Sequence, residues 1–160
     1  MVEFIMSNKM PEIELRKEIR RFLEKRKVLV LCTCSKNVPR ATPMDFYIEK
    51  NTDNFHIYVG PAPGKKVENI KENPIVSIGI YTPMSEGKIQ GMQITASGRE
   101  KLIFLKEGDD GFKKAQKIVR GKRKLILKII PEKLELLDYD FIKDGYSRLQ
   151  VLELEKKSEL

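Results

Sequence analysis

The sequence predicts a mainly β domain with flanking helices, arranged as a closed or split antiparallel barrel. Three observations point there: short β-rich runs recur from Val28 to Leu154, turn residues separate them, and only three short stretches have helical spacing. At 160 residues the chain has the size of one domain, 1–160, able to bury about 70% of its unfolded surface. Its 41% hydrophobic content and mean hydropathy of −0.39 allow a core and exclude disorder by composition.

The first element is a helix over about 11–27. Pro11 suits a first helical position, Glu12 and Glu14 complement the positive end of the helix dipole, and Arg26 and Lys27 complement the negative end. Leu15, Ile19 and Phe22 form a modest apolar stripe, so this helix covers a core and does not stand alone. The barrel is expected over about 28–140. Val28–Cys34 is its first strand, Ser35-Lys36-Asn37 a turn, Ala41–Lys50 a second strand and Phe55–Gly60 a third, with His56 in mid-strand. Pro61-Ala62-Pro63-Gly64 breaks the sheet; a short helix starts at Lys65 and ends at Asn73-Pro74. Strands follow at Ile75–Thr82 and Ile89–Leu105, then a third helix from Asp109 or Asp110 to Arg120, with Phe112, Ala115 and Val119 on its apolar side. Leu125–Ile130, Glu132–Tyr139 and a C-terminal strand within about 145–155 complete the order.

Composition and motifs exclude several functions. No apolar run approaches the ~20 residues of a membrane helix, and Met1–Met6 lacks the pattern of a secretory leader, so a cytoplasmic protein with no membrane partner is expected. Cys32 and Cys34 cannot build a disulfide framework, and with the single His56 they leave a structural zinc site short of ligands; no metal is expected. There is no Gly-x-Gly-x-x-Gly for a dinucleotide fold and no Gly-x-Ser-x-Gly elbow for a serine nucleophile. Gly60-Pro61-Ala62-Pro63-Gly64-Lys65 approaches a P-loop but is one residue short, with Lys66 where Ser or Thr would hold magnesium.

The formal net charge of +8 is local. Lys113–Lys128 contains eight bases and no acid, and the rest of the chain balances at 23 of each sign. Aromatic residues interleaved with bases would mark a nucleic-acid face, and Lys113–Lys128 has none, so a nucleic-acid-binding barrel is the weaker alternative. The incomplete P-loop is more informative. A Pro/Gly-rich loop, two adjacent lysines and a helix N-terminus coincide at Gly64-Lys65-Lys66, and free N–H groups plus two ammonium groups can offset a phosphate monoester.

Four segments occur in register: Pro39-Arg40-Ala41-Thr42-Pro43-Met44, Phe55-His56-Ile57-Tyr58-Val59-Gly60, Gly64-Lys65-Lys66 ahead of Asn73-Pro74, and Gln93-Ile94-Thr95-Ala96-Ser97-Gly98. In order and spacing they resemble the pyridoxamine 5′-phosphate oxidase-like, FMN-binding split-barrel family, over roughly Val28–Tyr139. The resemblance implies a six-stranded antiparallel Greek-key split barrel and a homodimer with FMN at the subunit interface. It also implies a flavoprotein oxidoreductase passing hydride or electrons to or from a small-molecule donor or acceptor. It places Arg40 at the phosphate and ribityl end, Lys65 and Lys66 on the phosphate, Thr42 and Pro43 beside the ring, Val59 and Gly60 beside the ribityl chain, and Gln93 on the polar ring edge. No catalytic acid or base is implied. A deazaflavin is the alternative cofactor, its longer phosphorylated tail reaching the Lys113–Lys128 bases, and a heme ligand is the alternative role for His56. Two departures bear on substrate. Arg148-Leu149-Gln150-Val151-Leu152 keeps only Arg-Leu of the oxidase's Arg-Leu-His-x-Arg ending, and Asp45 replaces a lysine near the flavin, so pyridoxamine phosphate is not the expected substrate.

Overall fold

The computed structural model describes residues 8–154. Helix α1, Glu12–Lys25, is followed by strands β1, Val28–Ser35, β2, Val38–Asp45, β3, Tyr47–Ile48, and β4, Ile57–Val59. Helix α2, Lys65–Glu72, leads into β5, Ile75–Tyr81, β6, Gln90–Ser97, and β7, Leu102–Lys106. Helix α3, Phe112–Ile118, then precedes β8, Leu125–Ile129, β9, Lys133–Asp138, and β10, Leu149–Glu153. Single 3₁₀ turns occupy Met84–Glu86 and Tyr139–Asp144.

The strands form two antiparallel sheets, one of six in the order β10-β9-β6-β5-β1-β2 and one of four in the order β3-β4-β8-β7. This is the mainly β, split-barrel architecture expected from the sequence, with ten strands among the described residues where eight β-rich runs were expected. The extra strands come from breaks in two long ones. Ala41–Lys50 divides at Phe46, whose buried ring and N–H bond to Lys27 O turn the chain from one sheet to the other. Ile89–Leu105 divides at Gly98, which adopts φ 103° and accepts from the N–H groups of both Lys101 and Leu102. His56 falls just before β4 and not in mid-strand, and α3 ends at Ile118, leaving Arg120 beyond it.

Local chemistry explains the first hairpin. Ser35 pairs with Val38, and Lys36 and Asn37 between them take φ 52° and 63°, the two-residue turn whose twist matches its strands. β2 ends the sheet, and its prolines, Pro39 and Pro43, are tolerated there because an edge strand needs fewer ladder donors.

The core lies between the sheets. Leu29, Leu31, Ile57, Ile78, Ile94, Ile129, Leu134 and Leu136 are at most 1% exposed, each contributing about 1.5–3 kcal/mol by leaving water. Leu15, Ile19, Phe22 and Leu23 of α1 join this cluster, while a smaller one under α3 holds Tyr58, Leu105, Ala115, Val119 and Ile126. No described helix is long and apolar enough to cross a membrane.

Candidate functional site

Helix α2 is fastened to β1 by three polar contacts that set its direction. Asn69 Nδ2 donates to Thr33 Oγ1 at 3.0 Å, Asn73 Nδ2 donates to Cys34 O at 2.8 Å, and the Ser35 hydroxyl donates to a Glu72 carboxylate oxygen. The helix therefore runs alongside β1, with Lys65 and Lys66 one turn before Asn69. Thr33 pairs with Arg40 across the hairpin and Leu31 with Thr42. Helix α2 thus packs on the face of the sheet that also carries Arg40 and Thr42.

Gly64 takes φ 156° and ψ −159°, a conformation open essentially to glycine, and no side chain caps the first turn of α2. Lys65 is exposed and Lys66 half-buried. Among the described residues, neither these lysines nor Arg40 has a carboxylate within 4.0 Å. Four of the expected site residues, Arg40, Thr42, Lys65 and Lys66, therefore belong to one side of the edge strand.

Pro43 and Gln93 belong to the other side. They stand in one cross-strand row, Pro43–Val30–Gly79–Gln93, on the outer face of the six-stranded sheet. The next row is Ala41–Cys32–Ser77–Thr95, in which every side chain is small. A Cβ on Gly79 would meet nothing within 4 Å, so the rows form a shallow open floor with the Gln93 amide at one edge. Val59 is fully buried in the core.

Gly60 shows what sequence reasoning missed. A Cβ there would come within 2.9 Å of Cδ and Nε of Arg123, so the arginine side chain lies directly over the glycine. Arg123 belongs to the basic segment and lies more than fifty residues beyond Lys66 in the sequence. The turn after α3 delivers it: Gln116 Nε2 donates to Gly121 O at 2.6 Å and its Oε1 accepts the Arg123 N–H at 2.9 Å. The only sequence signal was the absence of a side chain at Gly60.

Another basic residue is accounted for separately. Lys114 pairs with Glu49 at 2.6 Å, and Asn54 Nδ2 donates to the same carboxylate at 3.0 Å; these two bonds hold Glu49 below the ordinary carboxylate value of 4.5. His56 sits nearby with its buried Nδ1 unpartnered, and burial, followed by the charge of Lys128, holds it below the ordinary 6.5. Arg20 closes this corner by donating to the carbonyls of Glu49, Thr52 and Asn54.

Two antiparallel sheets around a shared core, with flanking helices, define the split-barrel class of fold. Within that class the chain belongs to the pyridoxamine 5′-phosphate oxidase family, whose model matches residues 15–138. Similar solved structures include general stress protein 26 from Bacillus anthracis, with 16% identity, a TM-score of 0.60 and coverage of 88% of this chain and 99% of that one. A FAD-binding protein from Mesorhizobium loti is 15% identical at a TM-score of 0.59, covering 74% of this chain and 90% of its own. A FAD-binding protein from Mycobacterium smegmatis is 12% identical at 0.58, covering 81% and 98%. No curated protein matches the chain.

Proposed function

We propose that this protein binds a flavin, FMN, across the edge strand β2 and serves as an oxidoreductase or flavin carrier. The observation that carries the reading is the division of labour across β2. Unpaired cations and an uncapped helix start lie on the side of Arg40, and a floor of small side chains ending at Gln93 lies on the side of Pro43. A phosphorylated flavin has this polarity, a dianion at one end and a planar ring with amide-like edges at the other. Two of the similar structures are FAD-binding proteins.

When bound, the flavin supplies the hydride or electron chemistry. Lys65, Lys66 and Arg40 would neutralise the phosphate, and the Gln93 amide would hydrogen-bond the polar edge of the ring. The small residues of the floor allow the ring to lie close to the sheet.

The outer face also exposes Ile75, Tyr81, Leu149 and Val151. We read it as the surface on which a second copy packs, covering the ring in a homodimer. The substrate is a small electron donor or acceptor other than pyridoxamine phosphate. Gln150 is 3% exposed and already engaged, accepting from Met10 N–H at 2.9 Å and donating to Asn8 O and Ser147 O. It is a structural residue where the oxidase carries a substrate-facing histidine. The free thiols of Cys32 and Cys34 suit a cytoplasmic setting.

The test is the visible spectrum of the purified protein and of its heat-released ligand, together with light scattering for the dimer. A yellow protein releasing FMN supports the reading. A colourless protein that also fails to take up added FMN overturns it, and a deazaflavin spectrum moves it to that cofactor.

A further inference from the structure

We propose that Arg123, held by Gln116, is an additional phosphate-binding residue of the cofactor site, a role that rests on the flavin reading above. It is separated from the expected Lys65 and Lys66 in sequence, and the fold lays it over Gly60, at the other end of the loop that leads to them.

The geometry has three parts. First, Arg123 covers Gly60, and Gly60 begins the Pro61–Gly64 loop that ends at the start of α2. Gly60 needs no unusual backbone angle, since its φ lies outside the left-handed range; what it provides is space, because any Cβ would collide with the arginine. Second, the arginine's backbone is tethered. Gln116 uses both ends of its amide inside the 116–123 turn, fixing the direction from which the side chain reaches Gly60. Third, the guanidinium is uncommitted: among the described residues Arg123 has no carboxylate within 4.0 Å. Lys114, in the same basic segment, is paired with Glu49. An arginine given a glycine to lie on, a tether and no internal partner has its donors available to an external anion. The group that the adjoining loop and helix start can accept is a phosphate.

Gln116 is then a positioning residue and Gly60 the seat of the arginine. This changes the meaning of the local charge excess, because one of its bases completes the anion site instead of serving an unrelated surface.

The experiment compares FMN with riboflavin, which carries the same ring without the phosphate, by titrating the apoprotein and following flavin fluorescence. Wild type is expected to prefer FMN. Arg123→Gln should weaken FMN binding by about tenfold, the effect of removing one charge-assisted contact, and leave riboflavin unchanged. Gln116→Leu should lower the FMN-to-riboflavin affinity ratio in the same direction. So should Gly60→Ala, which pushes the side chain aside; a general loss of structure would weaken both ligands equally. An unchanged FMN-to-riboflavin ratio in Arg123→Gln overturns the assignment. Inorganic phosphate separates this failure from failure of the flavin reading. If wild type takes up neither flavin but is thermally stabilised by phosphate and Arg123→Gln is not, the anion role stands and the flavin reading falls. If phosphate stabilises neither protein, both fall.

Discussion

Asn69 and Thr33 form a buried hydrogen bond of 3.0 Å between α2 and β1, with both side chains no more than 3% exposed. It is the central attachment of the helix that carries Lys65 and Lys66, so it links stability to the proposed phosphate site. Thr33→Val keeps the shape and removes the acceptor, leaving the Asn69 amide buried without its partner. The expected cost is about 1–3 kcal/mol in urea unfolding, with a fall in FMN affinity larger than in riboflavin affinity. A variant as stable as wild type would show that the helix is held by other contacts.

Gly79 separates fold from function on the outer floor. Gly79→Val adds a β-branched side chain where nothing lies within 4 Å, so the melting temperature should hold or rise slightly. The same side chain stands between Pro43 and Gln93 in the row assigned to the flavin ring. Riboflavin and FMN uptake should therefore both fall by at least tenfold. Unimpaired uptake would remove the ring from this face.

Replacing Lys65 and Lys66 together by Ala should weaken FMN binding by about a hundredfold, leave riboflavin unchanged and flatten the salt dependence of FMN affinity, since both lysines are free of internal ion pairs. The fold should persist because Lys65 is exposed, while the helix buries Val67, Asn69 and Ile70. Equal losses for both ligands would locate the phosphate elsewhere.

The Glu49–Lys114–His56 corner predicts a stability profile that falls toward acid in two stages. His56 is held below 6.5 chiefly by burial, so the unfolded chain takes up its proton first, and stability should begin to drop as pH passes below about 6.5. Glu49 is held below 4.5 by its bonds to Asn54 and Lys114; its contribution is complete above that pH and is lost as the carboxylate protonates. Urea midpoints measured from pH 7.5 to 3.5 should show both stages. His56→Gln should flatten the first, and Glu49→Gln the second; a first stage that survives the histidine replacement would assign it to another group.

Much of the fold was legible because it rests on local signals. The β-rich runs of β1, β5 and β6, the Lys36-Asn37 turn and the Asn73-Pro74 stop are short-range features. The break at Phe46 was less legible, since it rests on burial of the ring and a backbone bond to Lys27, whereas the polar Ser97-Gly98-Arg99-Glu100-Lys101 stretch carried a turn signal that the reading of one long strand passed over. The individual site residues were named from short motifs, but their division between two sides of β2 depends on strand register. Arg40 pairs with Thr33, and Pro43 with Val30, so residues three apart face opposite ways.

By itself the sequence determined the class of fold, the helix start at Gly64-Lys65-Lys66 and the confinement of the positive excess to one segment. These depend on neighbours along the chain, on backbone freedom, helix dipole and turn chemistry. Only the tertiary structure decided that Pro43 and Gln93 share a row, that Gln150 is consumed by the N-terminal segment and that Arg123 lies on Gly60. The physical reason is the same in each case: these contacts join residues far apart in sequence, and they exist only after sheet register and turn geometry have brought the chain back on itself.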